Sequence, residues 1–286
     1  MSRKASTVSK VNNIIVVSDT HIGCQFGLCT GDTLKALDGG GEYSPSKLQK
    51  IVANWWSDFW NIWVPQVTRG ESYAVVVNGD APDGRHHNST TQISQNLADQ
   101  QKMTVSTFAP IVKRATHFFM VRGTPVHSGE SAENEERIAK DLNAIPDKEG
   151  HYCRPELWLK IGGGVAHFLH HIGTAGSAAY ESSALMREYS ESCVEAGRWG
   201  LQAPDVVVRS HRHRHLEIRC PKANGYGTIF TTAGWQLKTP FTWKIAGARL
   251  TLPQMGGSLI RWGDEELYTR HKTWNIQRDN PEVLEI

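Results

Sequence analysis

The chain has 286 residues, with 31 lysines and arginines against 29 aspartates and glutamates and a formal net charge of +2. Hydrophobic residues make up 39% and charged residues 21%, which is enough apolar material for a core and too little charge imbalance for a disordered chain. The balanced charge also excludes a polybasic nucleic-acid sleeve. The five scattered cysteines form no Cys-x-x-Cys pair, which argues against a disulfide framework and a thiolate zinc site.

The N-terminal segment, residues 1–10, is polar and basic, and we expect it to be flexible. The apolar run at 14–17 is far shorter than a signal-peptide core or the ~20 residues that cross a bilayer. The sequence therefore predicts a cytoplasmic protein without a membrane partner.

The predicted elements alternate between short apolar strands and amphipathic helices. Strands are predicted at 11–17, 73–78, 116–121, 165–169 and 206–209, and helices at 44–65, 90–115, from Ser131 onward, and at 178–196. From Leu216 the pattern predicts antiparallel strands with turns at Asn224-Gly225 and Gly256-Gly257. This order predicts one α/β domain over residues 1–286.

The first predicted helix starts with Ser44 as N-cap and Pro45 as first helical residue, and it stops at Pro65. Its apolar residues recur at helical spacing: Leu48, Ile51, Val52, Trp55, Trp56, Phe59, Trp60 and Trp63. This periodicity is typical of a helix that faces the core, so we interpret the tryptophans as core residues. A base-stacking surface is the alternative.

Polar side chains follow four of the predicted strands. They are Asp19, His21, Asp80, His170, His211 and His213. Because the carboxyl ends of strands in an open α/β sheet line one crevice, we expect these side chains to converge. Asp19-x-His21 and His211-x-His213 would each place two side chains on one side of an extended segment.

Carboxylates and imidazoles without thiolates suit zinc, manganese, iron or similar ions. Six ligands exceed the needs of one tetrahedral ion, so we predict two divalent ions about 3.5–4 Å apart, with Asp80 as the bridge. Such a pair can clamp a phosphoryl oxygen and activate water, which is the chemistry of phosphoester hydrolysis. Each residue taken singly also has a structural alternative. A carboxylate at the end of a strand can cap a turn or helix, and a histidine there can be a hydrogen-bonded core residue.

The order of these motifs, from Ser18 to His213, resembles the calcineurin-like metallophosphoesterases. The resemblance implies a four-layer α/β/β/α sandwich of two mixed β-sheets flanked by helices. It places Asp19, His21, Asp80 and His213 at the first ion and Asp80, His170 and His211 at the second, with His170 preferred to His171. The loops that start at Gly79 and Gly123 look most like a phage and prophage subgroup, which would place the protein in the host cytoplasm.

Two departures from the family pattern stand out. Thr124 occupies the place of a ligating asparagine, and His127 comes two positions later than the usual histidine. Our hypothesis is that His127 serves as proton donor to the leaving group or as the missing ligand. Ser210 replaces the glycine that usually precedes His-x-His, which is a milder change.

Arg85, His86 and His87 follow Asp80 closely and are candidates for phosphate contacts, with a solvated loop as the alternative. The resemblance implies in-line attack by a hydroxide that bridges two ions, which are manganese, zinc, iron or nickel, with manganese favoured. A phosphodiester substrate, a nucleotide or nucleic acid, is slightly favoured over a monoester. The alternatives are a phosphatase, a partner-binding scaffold, and a metal-stabilised protein that binds nucleic acid through residues 209–214. The oligomeric state cannot be derived from the sequence.

Overall fold

The computed structural model describes residues 11–31, 35–86, 88–173, 178–223, 225–245 and 253–277. The predictions for residues 1–10, for His87 and for Asn224 fall outside these ranges. Among the described residues, none of the helices combines the length and apolar character needed to cross a membrane.

The chain alternates between strands and helices. The strands are β1 (Asn13–Val17), β2 (Lys35–Ala36), β3 (Glu42–Tyr43), β4 (Tyr73–Asn78), β5 (His117–Val121), β6 (Cys153–Arg154), β7 (Leu157–Ile161), β8 (Gly164–Phe168), β9 (Val206–Arg209), β10 (Leu216–Lys222), β11 (Gly225–Thr231), β12 (Gln254–Gly263) and β13 (Glu266–Asn275). The α-helices are α1 (Lys47–Asp58), α2 (Val64–Thr68), α3 (Leu97–Val112), α4 (Pro125–Ser128), α5 (Glu133–Asp141), α6 (Glu181–Arg198) and α7 (Pro240–Ile245).

Two mixed β-sheets form the centre of the molecule. The first has the strand order β13-β12-β1-β4-β5-β6, in which β1, β4, β5 and β6 run parallel and β12 runs antiparallel to β1. The second has the order β10-β11-β9-β8-β7, in which β9 runs parallel to both neighbours. Strands β2 and β3 form a separate pair. The predicted pair of mixed sheets is confirmed.

Alternate residues of each strand face opposite layers, because the side-chain period of a strand is two. Ile15 and Val17 of β1 pack with α1, α3 and α5 on the outer face of the first sheet. Ile14 and Val16 face the second sheet, where they share a core with Phe168. The far side of the second sheet is covered by α6. The order of layers is therefore helices, sheet, sheet, helix, as predicted.

The first helical segment differs from its prediction at both ends. Ser46, not Ser44, is the N-cap, because its hydroxyl accepts the Gln49 N–H while the Gln49 side chain accepts the Ser46 N–H. The segment also continues past Pro65, through a π-helical turn at Phe59–Trp63 and then α2. The π-helical turn, which is wider than an α-helical turn, directly precedes α2, and Pro65 in α2 has no N–H to donate.

The tryptophans of this segment lie in the core, as predicted. Trp56 and Trp60 are buried, and Trp55 and Trp63 pack against the same cluster. Trp56 makes an edge contact with Trp235, at 4.8 Å between ring centroids. The segment therefore covers the outer face of the first sheet.

Three further predictions need correction. Helix α3 begins at Leu97, seven residues after the predicted start at Thr90, because Asn96 is the residue that caps it. Helix α5 begins at Glu133, two residues after the predicted start at Ser131, and its N-cap is Ala132. The sequence analysis also missed the short strands β2, β3, β6 and β7. Gly256 and Gly257 lie inside β12, not in a turn, and the turn to β13 falls at Asp264 and Glu265, both with positive φ.

Candidate metal centre

The loops after β1, β4, β8 and β9 meet at one end of the two sheets. Backbone hydrogen bonds join them: Asp19 N–H donates to the Gly79 carbonyl at 3.0 Å, and His21 N–H to the Asp80 carbonyl at 3.1 Å. Within the second sheet, Ser210 N–H donates to the His170 carbonyl at 2.8 Å, and Asn78 Nδ2 of the first sheet donates to Ser210 Oγ at 2.7 Å. The fold therefore brings together side chains that are almost 200 residues apart in sequence.

The candidate ligands share an unusual backbone conformation. Asp19, His21, Asp80, His211 and His213 all have positive φ, between 42° and 72°. Non-glycine residues seldom adopt this conformation, and it clusters at functional sites. The Asp-x-His pair and the His-x-His pair therefore converge through tight turns in the left-handed conformation. The prediction that each pair lies on one side of an extended segment is wrong.

Two glycines allow this close approach. A Cβ on Gly79 would lie 2.4 Å from His170 Nδ1, and a Cβ on Gly123 would lie 2.0 Å from Asp80 Oδ1. Neither position can accept a side chain without displacing a candidate ligand.

The first group of candidate ligands comprises Asp19, His21 and His213. His213 Nε2 lies 3.3 Å from Asp19 Oδ1 and 3.1 Å from His21 Nε2. The second group comprises Asp80, His170 and His211. The ligand atoms within each group lie within 4.8 Å of one another.

The two groups are contiguous. His170 Nε2 lies 3.0 Å from Asp80 Oδ2 and 3.9 Å from Asp19 Oδ1 of the other group. His171, by contrast, is exposed and belongs to neither of these groups of described residues. The structure thus brings together all six residues that the sequence pattern selected.

The side chains present fit divalent cations. Asp19 Oδ1 and His170 Nε2 are buried and have charged neighbours, His213 and Asp80, but neither atom makes a well-oriented hydrogen bond to a described residue. Burial of polar atoms without a partner is costly, so such atoms indicate a missing ligand. Carboxylate oxygens and imidazole nitrogens are the donors that zinc, manganese and iron accept.

Neighbouring histidines keep the two carboxylates ionised. Burial opposes ionisation of Asp19, but His213 and His170 bring its pKa down to about 2. Burial also opposes ionisation of Asp80, whose pKa nevertheless lies well below the ordinary value because of His170 and His127. The same pairing works in reverse on His170, where Asp80 and Asp19 overcome burial and raise the pKa to about 10. Both carboxylates are therefore ionised and available to cations, and His170 would release its proton when its Nε2 binds one.

Thr124 contacts Asp80 directly. Its backbone N–H donates to Asp80 Oδ1 at 2.7 Å, and its hydroxyl lies 3.1 Å from each carboxylate oxygen. In the structure the residue in the place of the usual asparagine therefore orients the predicted bridging carboxylate.

Asp83 was missed as a site residue, although it lies in the same loop as Asp80. It forms a third group of possible ligands with His21 and His127. Asp83 Oδ1 lies 3.4 Å from His21 Nδ1, and Asp83 Oδ2 lies 3.3 Å from His86 Nε2. Its complete burial beside these histidines is the structural signal, and the sequence offered only its spacing from Asp80.

His127 packs between two other histidines. Its ring makes edge contacts with His21 and His86, at 4.4 and 4.6 Å between centroids. Its Nδ1 lies 2.6 Å from the Asp83 carbonyl oxygen, to which a protonated Nδ1 donates. Burial and the nearby His21 lower the pKa of His127 to about 4, which favours the neutral ring at pH 7.

Glu135 is a second residue that the sequence analysis missed. It lies in the first turn of α5, and its side chain is fully buried beneath the site. Its two oxygens accept the N–H groups of Ala81 at 3.0 Å and Gly123 at 2.6 Å. Burial and the charge of Asp80 raise its pKa to about 7. Glu135 thus ties the Asp80 loop to the Thr124 loop.

Ser210, the milder departure from the family pattern, has a clear structural role. Its hydroxyl accepts from Asn78 Nδ2 at 2.7 Å and from the Thr232 hydroxyl at 2.8 Å. These bonds join the ends of β4, β9 and β11. Ser210 therefore helps to hold the two sheets together below the ligands.

The three predicted substrate contacts do not lie together at the site. His86 lines the cavity above the ligands, which we call the metal cavity and which has a volume of about 700 Å³. Arg85 is not among the described residues that line it, and Arg85 Nε donates to the Gln95 carbonyl at 2.6 Å. His87 lies outside the described residues. The structure therefore brings only His86 of these three to the site.

The arginines of residues 209–214 are ion-paired. Arg209 is buried and donates to Glu188 at 3.1 Å, and Arg212 Nη1 lies 3.7 Å from Glu181. Arg214 donates to the same Glu181 through its Nε at 2.9 Å. These contacts place acidic partners beside the basic groups that nucleic-acid binding would need.

No protein-family model and no curated protein matches the chain. Several solved structures are similar to it. A Vps29 single mutant from Entamoeba histolytica is 10% identical with a TM-score of 0.38, over 92% of this chain and 99% of its own. A predicted phosphoesterase from Streptococcus pneumoniae is 12% identical with a TM-score of 0.33, over 92% and 98%.

The sulfate thiohydrolase SoxB from Thermus thermophilus is 9% identical with a TM-score of 0.41, over 95% of this chain and 58% of its own. Similarity at this level of identity concerns the fold and not the activity. The function of the chain therefore has to be inferred from its own side chains.

Proposed function

We propose that this protein is a metal-dependent phosphoesterase that binds two divalent ions at the ends of β1, β4, β8 and β9. The observation that carries the proposal is the pair of contiguous ligand groups, joined by the 3.9 Å approach of His170 to Asp19. In this proposal Asp19, His21 and His213 hold one ion, His170 and His211 hold the other, and Asp80 contacts both. Manganese is favoured over zinc, iron and nickel.

Two such ions, when bound, would activate water and neutralise charge on a phosphoryl group, which supports the in-line attack proposed from the family resemblance. The chain's own residues then have separate tasks. Thr124 orients the Asp80 carboxylate through its N–H and hydroxyl, and Asp83 orients His21. Such outer contacts commonly set the affinity and geometry of a metal site.

His127 acts in this proposal as a neutral imidazole. Its Nδ1 is engaged by the Asp83 carbonyl, so Nε2 is the nitrogen left for chemistry. A pKa of about 4 makes a stored proton on His127 costly at pH 7. Of the two roles considered from the sequence, the role of ligand is therefore favoured over that of proton donor.

A phosphodiester is the favoured substrate and a monoester the alternative. Three buried carboxylates, Asp19, Asp80 and Asp83, would oppose the four positive charges of two divalent ions, and the remaining charge of about +1 suits a singly charged phosphate better than a dianion. We also propose a single domain and a cytoplasmic location, which rest on the sequence pattern, and a phage or prophage origin, which rests on the family resemblance.

The proposal is tested by metal content and hydrolysis measured together. We expect wild type reconstituted with manganese to bind two ions per chain and to hydrolyse bis(p-nitrophenyl) phosphate faster than p-nitrophenyl phosphate. Asp80→Asn should lose at least one ion and about 10³-fold in kcat, because it removes a charged ligand. Asp264→Asn, in the exposed turn before β13, is the matched control and should behave as wild type. The absence of hydrolysis with every divalent ion would refute the enzymatic proposal.

A further inference from the structure

A second cavity lies beside the metal cavity. We call it the side cavity, and its volume is about 570 Å³, within the range of small-molecule sites. Leu237, Lys238 and Pro253 line both cavities. The two cavities are therefore adjacent, as one ligand with a group in each cavity would require.

The wall is attached to the metal loop through the backbone. Trp235 N–H donates to the Asp19 carbonyl at 2.9 Å, and Leu237 N–H donates to the Phe26 carbonyl at 2.7 Å. These bonds fix the segment that follows β11 against the loop that follows β1. The position of the side cavity relative to Asp19 is thus set by direct contacts.

Aromatic rings and amide side chains line the side cavity. Phe26, Tyr43 and Trp243 supply the rings, and Gln25 and Gln277 supply amide groups. Flat rings stack on planar aromatic ligands, and amides can both donate to and accept from the edge of a heterocycle. The lining also contains aliphatic side chains, and both amides are exposed to solvent, so it is the three rings that favour a flat heterocycle over an aliphatic chain.

Lys238 adds a cation at the boundary between the cavities. Its Nζ is buried, makes no hydrogen bond to any described residue, and lies 3.4 Å from the centroid of the Trp243 ring. The ring face partly compensates the charge, but an ammonium without a hydrogen-bond acceptor remains costly. A sugar or phosphate oxygen of a bound nucleotide would supply that acceptor.

Helix α7 lines both cavities. Phe241 and Thr242 line the metal cavity, whereas Trp243 lines the side cavity. One short helix therefore contributes to both, and the Trp243 side chain is 45% exposed, so solvent can reach it.

We propose that the side cavity binds the nucleobase of a nucleoside phosphodiester, with the base against Trp243 and the phosphate at the metal centre. This inference rests on the proposed function for the position of the phosphate, but base binding itself requires no hydrolysis. It narrows the substrate class from any phosphodiester to one that carries a nucleobase.

The first test is binding of adenosine by calorimetry, which involves no phosphate and no turnover. We expect Trp243→Ala to weaken adenosine binding about tenfold, because it removes the stacking surface, and Trp243→Phe to restore it. Trp199→Ala, which removes a 73% exposed tryptophan at the end of α6, should bind adenosine as wild type does. Equal affinity in wild type and Trp243→Ala would overturn the proposal.

The second test compares kcat/KM for three manganese-dependent substrates: the methyl phosphate diesters of adenosine, of ribose and of hexanol. We expect wild type to prefer the adenosine ester about tenfold over the ribose ester, and Trp243→Ala to lose that preference. A preference for the hexyl ester would indicate an aliphatic occupant and refute the proposal. If adenosine binds but none of the esters is hydrolysed with any ion, the proposed function fails and the nucleobase site stands.

Discussion

Glu135 illustrates how a single side chain can position a site without touching a ligand. Its carboxylate accepts the N–H groups that follow Asp80 and precede Thr124, so it fixes the spacing between two loops. The side chain is buried in the layer of α5, away from the metal cavity. Its role is therefore to support the geometry of Asp80.

The ionisation of Glu135 leads to a prediction about stability and pH. Its pKa rises from an ordinary value of 4.5 to about 7 in the folded state, because of burial and the charge of Asp80. The folded state therefore binds more protons than the unfolded state between these values, and stability contributed by Glu135 is lost as pH rises from 4.5 to 7. Glu135→Gln removes this dependence.

The measurement is the free energy of unfolding from urea titrations of chelator-treated protein. We take the free energy of unfolding of wild type minus that of Glu135→Gln at each pH. We expect this difference to fall by up to about 3 kcal/mol between pH 4.5 and pH 8. Other titrating groups cancel in this difference. A difference that is independent of pH would show that Glu135 ionises normally.

Thr124 provides a second prediction at the scale of the residue. Thr124→Val keeps the N–H bond to Asp80 but removes the hydroxyl donor, so manganese affinity measured by calorimetry should fall about tenfold. Thr124→Ser keeps the hydroxyl and should restore the affinity. Unchanged affinity in Thr124→Val would mean that the backbone N–H alone orients the carboxylate.

At the scale of elements, β12 packs unusually close to the helical segment that covers it. The π-helical turn at Phe59–Trp63 places Phe59 directly over Gly257. A Cβ at Gly257 would lie 2.5 Å from Phe59 Cζ and 2.8 Å from the Val16 carbonyl oxygen. The glycine is therefore needed for sheet and helix to approach, which explains its place inside a strand.

Gly257→Ala should lower the free energy of unfolding by about 1–3 kcal/mol, because the added methyl group has no room. Gly197→Ala, in α6, is the matched control, since a Cβ at Gly197 would have open space around it. We expect this control to be neutral or stabilising by less than about 1 kcal/mol. Both values come from urea titrations at one pH, and equal effects of the two substitutions would argue against the close packing.

At the scale of the molecule, the alternation of strands and helices predicted the α/β class correctly. Strands β4 and β9 have the predicted bounds, because both are buried apolar runs that end abruptly in polar residues. The start of α3 was placed too early, since residues 90–96 fold as a loop and their threonine, serine and asparagine side chains favour caps and turns over a helix interior. Side-chain bonds such as Ser94 Oγ accepting from Asn96 N–H at 3.1 Å compete there with helix formation.

The sequence by itself determined which residues end the strands, and hence the donor chemistry of the proposed metal centre. Asp19, Asp80 and His170 could be selected because strand ends in such a fold meet at one edge. Only the tertiary structure decided how they meet, through left-handed loops, and which buried groups support them. Asp83 and Glu135 escaped the sequence analysis because their partners depend on packing between distant segments, which no local pattern encodes.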